Sequence, residues 1–215
     1  MRLIVLKLGG SLLDCPDITD RLRGLVSDLA TSRILIVVGG GGAADVVRHW
    51  SQVYSLSEEA AHWVALRSLS VTRALVKALL PECVEVGSRE EASRCWAESA
   101  VPLLLDLEAC LRQAESIDAA PLPHSWDVTS DSIAAWVATR WSAAELVLLK
   151  SVEMPPGISF DQASRDGLID VHFSRVCTQI PRICWCNLTR NDPRRQVWVD
   201  QAGGLTCSNQ DLISP

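Results

Sequence analysis

The chain has 215 residues, 48% of them hydrophobic and 21% charged, with a formal net charge of −6. That apolar content excludes a disordered chain, and an acidic balance without a Lys/Arg cluster excludes a general nucleic-acid binder. No apolar run approaches the roughly 20 residues that a bilayer span needs, so no membrane partner is expected.

Leu3-Ile4-Val5-Leu6-Lys7 opens the chain as an apolar, branched run of the kind found in buried parallel strands. Lys7 interrupts the run and Leu8-Gly9-Gly10-Ser11 follows, which marks a first strand and not a secretion signal. Residues 17–30 place Ile18, Leu22, Leu25, Val26 and Leu29 on one helical stripe. Residues 34–38 read as a second buried strand, ending at Gly39-Gly40-Gly41-Gly42, with a helix from Ala43 to Val53. Ser57 caps a helix with Glu58 and Glu59 in its first turn, stopped by Pro81 after Leu80. Residues 83–86 form a short strand, and Ser88 with Glu91 has capping-box spacing for the next helix. Residues 102–105 are another strand, and Asp106 caps a short helix after it.

Residues 119–127 read as a loop, 129–141 as a helix, and Glu145-Leu146-Val147-Leu148-Leu149-Lys150 as a further buried strand. Residues 154–167, with prolines, glycines and polar residues, read as loop. Residues 180–186 and 196–199 read as antiparallel strands with Gly203-Gly204 marking the turn. The alternation predicts one α/β domain over residues 1–215, a three-layer α/β/α sandwich with a mainly parallel sheet.

Eight cysteines are scattered without a C-x-x-C, and Cys184-Trp185-Cys186 sits in a strand with both thiols on one face. Buried, reduced thiols in a cytoplasmic protein are the expectation, and the four dispersed histidines add no ligand set, so no structural metal is expected.

Lys7 and Lys150 are two of only three lysines, and each ends an apolar strand. Ligands of open α/β sheets bind beyond such strand ends. Beside Gly9-Gly10-Ser11 and the four-glycine run, whose backbone can approach a ligand closely at a helix N-terminus, the lysines suggest a phosphate site. Gly39, Gly41 and Ala44 also fit a dinucleotide fingerprint, which needs an acid about 20 positions on at a strand end. Glu58 and Glu59 lie at a helix start instead, and no P-loop motif is present.

Lys7-Leu8-Gly9-Gly10-Ser11, Val37-Val38 with the four glycines, residues 127–134 and Leu146 to Lys150 together resemble the amino acid kinase superfamily over roughly the whole chain. Within it, Leu56 to Trp63 and Ser125 to Ser132 look like the aminomethyl-furanmethyl phosphate kinase branch of methanofuran-type cofactor biosynthesis. The resemblance implies a cytoplasmic homodimer that uses Mg2+ and ATP and phosphorylates a small acceptor carrying a phosphate, in one-carbon metabolism. It implies that Lys7 offsets phosphoryl charge, that Gly9, Gly10 and Ser11 cradle nucleotide phosphates, and that Asp131 orients the catalytic lysines. Gly40, Gly41, Gly42 and Asp127 would hold the acceptor, with Asp45, Arg48 and His62 lining its pocket. Where many members read Leu-Thr-Asp-Val-x-Gly, this chain has Leu149-Lys150-Ser151-Val152-Glu153, and no lysine follows Lys150. Lys150 or Arg165 would then supply the family's late catalytic cation; failing both, the chain is a degenerate member that binds nucleotide or another anion without turnover.

Overall fold

The computed structural model describes residues 1–116 and 122–201. Its strands are β1 (Leu3–Leu8), β2 (Arg33–Val38), β3 (Val84–Val86), β4 (Leu103–Leu105), β5 (Glu145–Lys150), β6 (Arg182–Asn187) and β7 (Gln196–Asp200). They form a single sheet in the order β3-β4-β2-β1-β5-β6-β7, parallel except for the antiparallel β6–β7 pair. The helices are α1 (Ile18–Asp28), α2 (Gly41–Val53), α3 (Glu58–Leu79), α4 (Arg89–Glu98), α5 (Leu107–Glu115), α6 (Ser130–Arg140), α7 (Phe160–Arg165) and α8 (Phe173–Val176).

Strand alternation feeds two apolar cores. Ile4, Leu6 and Leu8 of β1 meet Ile18, Leu22 and Leu25 of α1 on one face. Val5 of β1 and Leu146 and Leu148 of β5 meet Leu66 of α3 and Ile133 and Val137 of α6 on the other. The expected three-layer sandwich follows. Cys184 and Cys186 share the α1 core while Trp185 points into the other, as their spacing predicted. Burial pushes the Cys184 thiol up to about 12 and Cys186 to about 11, so both stay protonated and inert.

The expected N-caps form. Ser57 Oγ accepts from Ala60 N, Ser88 Oγ from Glu91 N, and Asp106 Oδ1 from Ala109 N. Glu91 closes its side of the capping box on Gly87 N, one residue before the cap.

Three expectations need correction. Residues 154–167 are not all loop: α7 lies inside them, capped by Ser159 Oγ and anchored by Phe160 against Phe173 and Trp198. Six residues are too few for a helical period to show in sequence. The link between β6 and β7 is residues 188–195, opened by Asn187 Oδ1 accepting from Thr189 N and Oγ1. Gly203 and Gly204 lie outside the described residues. Finally, α2 begins at Gly41 and not at Ala43, so half of the glycine run is already helix.

Successive connections from β1 lead to β2 on one side, while β5 pairs with β1 on the other. The crevice between the carboxyl ends of β1 and β5 is therefore the topological switch point of the sheet, where open α/β folds bind ligands. Among the described residues no helix is long and apolar enough to cross a membrane.

Candidate active site

Lys7 lies two residues after Val5 on β1, and Lys150 two after Leu148 on β5, so both face the layer that contains α6. Asp131 sits in the first turn of α6 and meets both. Lys7 Nζ is 2.8 Å from Asp131 Oδ1, and Lys150 Nζ is 2.8 Å from Oδ2. Lys150 also donates to the Leu168 carbonyl at 2.7 Å and stands over the Trp185 ring at 5.5 Å. Lys7 and Asp131 are only 4% and 6% exposed. One carboxylate against two ammoniums leaves this buried group with one net positive charge. Burial opposes ionisation of Asp131, but the two lysines outweigh it and hold the carboxyl down to about 2. Burial, then repulsion from Lys7, lower the Lys150 ammonium to about 8 in spite of Asp131.

Sequence reasoning missed Asp170. Thr129, the N-cap of α6, makes no capping bond with its own side chain. Asp170 accepts from Thr129 and Ser132 instead, on either side of Asp131. No local signal could reveal it, because the pairing spans 41 residues.

The two glycine turns lie against each other. A Cβ on Gly10 would stand 2.1 Å from Gly41 N, and one on Gly41, whose φ is +50°, would stand 2.9 Å from Gly10 O. Side chains at either position would force the turns apart, so these glycines serve the contact itself. Gly42 differs, since nothing lies within 4 Å of its Cβ position. Gly9 N donates to Leu149 O at 2.9 Å, tying the first turn to β5. Ser11 Oγ meets Ser151 Oγ at 2.9 Å across the same crevice.

A cavity of about 230 Å³ opens beside these turns. Gly10, Ser11, Gly40 and Gly41 line one end; Asp45, Arg48, Glu58 and His62 stand around it, with apolar walls from Leu66, Leu69 and Ile133. Arg48 pairs with Asp45 at 2.6 Å and stacks on Trp126 at 5.0 Å. Gly9, Gly42 and Asp127 are not among its lining residues, and the Asp127 side chain is exposed. Arg165 is exposed on α7 and bonded to Gln162. A separate open groove, lined by Glu153, Asn187, Arg190 and Arg194, lies beyond β5 and β6.

His62 is buried with Nε2 unpartnered, and burial, then His124, lowers it to about 4, so it is neutral. His124 stacks on it at 4.2 Å and bridges Glu59 at 2.8 Å and Glu115 at 2.6 Å. Although His62, His124 and Glu115 cluster closely enough to suggest ligation, the rings lie only 11° from parallel. In-plane nitrogen lone pairs of stacked rings do not converge on one ion.

Residues 2–154 match the sequence pattern described as the amino acid kinase family, which is most of the chain. The chain belongs to the amino acid kinase family. One relative in Methanocaldococcus jannaschii, named [5-(aminomethyl)furan-3-yl]methyl phosphate kinase, is 25% identical over 153 residues, 69% of this chain and 66% of its own length. The fold resembles the uridylate kinase of Archaeoglobus fulgidus, with a TM-score of 0.60 at 16% identity, covering 94% of this chain and 93% of that one. The UMP kinase of Ureaplasma parvum gives 0.56 at 13% identity, covering 86% and 88%.

Proposed function

We propose that this amino acid kinase transfers the γ-phosphoryl group of ATP to a small phosphomonoester, giving a diphosphate. One observation carries the reading: two lysines share one buried aspartate at the sheet's switch point, where two glycine turns touch. Phosphoryl transfer asks for in-line positioning and neutralisation of spreading negative charge, with little covalent chemistry from the protein. Lys7 and Lys150 supply the cations and Asp131 fixes their separation. Backbone N–H groups of Gly10 and Ser11 hold the nucleotide phosphates while Gly9 N is taken by Leu149 O, and those of Gly40 and Gly41 hold the acceptor. Lys150, and not Arg165, is the second cation, because Arg165 is exposed and bonded to Gln162. The groove beyond β5 and β6 suits the rest of the nucleotide.

The name of the M. jannaschii relative supports an aminomethyl-furanmethyl phosphate acceptor. The cavity suits such a molecule: Leu66, Leu69 and Ile133 flank a flat ring, Asp45 and Glu58 face an ammonium, and Arg48 grips a phosphate. Both Asp131 oxygens are committed to lysines. Mg2+ therefore fits as an ion carried on the nucleotide's phosphate oxygens and water, its ordinary manner of binding, where it neutralises phosphate charge. The working form is a homodimer, for which Val46, Trp50 and Val53 of α2 and Tyr54 at its C-cap, an exposed apolar stripe, offer a face.

A rival reading, anion binding without turnover, draws on Lys150, whose donors already go to Asp131 and Leu168 O. Calorimetric titration with Mg-ATP, followed by ADP release against a panel of phosphomonoesters, separates the two. Saturable binding with acceptor-dependent ADP supports transfer, whereas binding without ADP from any acceptor supports the rival. If Lys7→Ala binds and turns over like the parent, the site assignment is wrong.

A further inference from the structure

We propose that Asp170 is a positioning residue for phosphoryl transfer, holding the first turn of α6 so that Asp131 meets both lysines. The inference rests on the phosphotransferase reading. A helix start leaves its first N–H groups without intrahelical partners, and here the N-cap side chain of Thr129 does not satisfy them. Asp170 Oδ2 accepts from Thr129 N at 2.9 Å, Thr129 Oγ1 at 2.8 Å and Ser132 N at 2.9 Å. Its Oδ1 accepts from Ser132 Oγ. These anchors flank Asp131 directly, so the turn that carries it is clamped from outside the helix. Two residues earlier, the Leu168 carbonyl accepts a hydrogen bond from Lys150 Nζ at 2.7 Å. The segment 168–170 thus grips both the aspartate's helix and one of its lysines.

The arrangement also has an electrostatic side. The groups facing Lys150 are Lys7 from β1, Asp131 from α6, the Trp185 ring from β6, and Asp170 with the Leu168 carbonyl. Among them Asp170 favours the ammonium form, opposing burial and Lys7. Asp170 is not among the residues lining the cavity, so it acts through Asp131 and Lys150 and not on substrate.

The test uses Asp170→Asn in the full chain, with side-chain NMR of 13C-labelled lysine, where only Lys7, Lys77 and Lys150 report. The Lys150 titration is expected to move down by about half a pH unit or more. Acceptor-dependent kcat should fall about tenfold or more with acceptor KM little changed, and its alkaline limb should shift to lower pH. A folded variant with the parental Lys150 titration and kcat overturns the inference, and so does a lowered melting temperature alone. Should Asp170→Asn fail to fold, Ser132→Ala, which deletes one donor to Asp170, is measured instead; an unchanged kcat there overturns the clamp. If the parent enzyme releases no ADP with any phosphomonoester, the phosphotransferase reading falls, while the Lys150 titration still decides whether Asp170 holds the group.

Discussion

Asp131 balances two ammoniums, so its loss and the loss of either lysine have different consequences. Asp131→Asn leaves Lys7 and Lys150 facing each other with only the partly buried Asp170 beside Lys150 to offset them, and it should remove about 3–5 kcal/mol of stability as well as activity. Lys7→Met leaves a neutral Lys150–Asp131 pair, so transfer should fall by orders of magnitude while urea denaturation shifts far less. A comparable midpoint shift in both variants would contradict this. The alkaline limb of kcat should follow Lys150, whose ammonium is lost as pH rises through about 8. Asp131 works at the acid end: its folded pKa is lowered from 3.8 to about 2, so its stabilisation is present above about 4 and is lost as pH falls through 2. His62 adds to acid sensitivity, because its folded pKa lies near 4 against 6.5. The unfolded chain binds more protons between those values, so stability falls as pH drops from 6.5 to 4. His62→Phe removes both this term and the unpartnered Nε2. It should flatten stability over that range without lowering it at pH 7, as denaturation midpoints at several pH values would reveal.

The glycine turns behave as one element, although they belong to different βα connections. Gly10→Ala and Gly41→Ala each drive a Cβ into the opposite backbone, and Gly41 adds a positive φ. Both should cost several times more stability than an exposed helix substitution, and both should disturb phosphate binding. Gly42→Ala is the contrast: it lies in α2 with nothing near its Cβ position. That change should be neutral or stabilising by up to about 1 kcal/mol, a rise of about 2–4 °C in Tm by calorimetry. A large loss at Gly42 would mean that its missing side chain matters to the fold in a way the geometry does not contain. Four consecutive glycines read from sequence as a ligand cradle, and the structure gives them unequal places: Gly41 packs on Gly10 with a positive φ, while Gly42 lies in α2 with open space at its Cβ position. That division was not legible because it depends on Gly10, some thirty residues away and brought near by the pairing of β1 with β2.

On the scale of the whole molecule, the switch point between β1 and β5 gathers the site from the ends of two strands, one helix start and a distant clamp. Chain halves that leave the sheet in opposite directions open the crevice, and the buried cation pair needs that arrangement to meet an anion. The exposed stripe of Val46, Trp50 and Val53 on α2 with Tyr54 at its C-cap gives the proposed homodimer its face. Trp50→Glu should then shift sedimentation from dimer to monomer while leaving the melting of the monomer fold in place; a parental monomer in solution would end that proposal.

Sequence by itself determined the strands and the two-sided burial of β1, β2 and β5, the helix starts capped by Ser57, Ser88 and Asp106, and the presence of Lys7, Lys150 and Asp131 at chemically meaningful ends. These follow from local spacing, whose period of two or 3.6 residues is written in the chain. Strand parity even implied that Lys7 and Lys150 face one layer once β1 and β5 are neighbours. That neighbourhood was decided only by the tertiary structure, as were the shared carboxylate, the contact of Gly10 with Gly41, and the capping of α6 by Asp170. Each joins residues far apart in sequence, and what selects it is the pairing of charges and backbone groups that the fold has taken out of water, which no local pattern encodes.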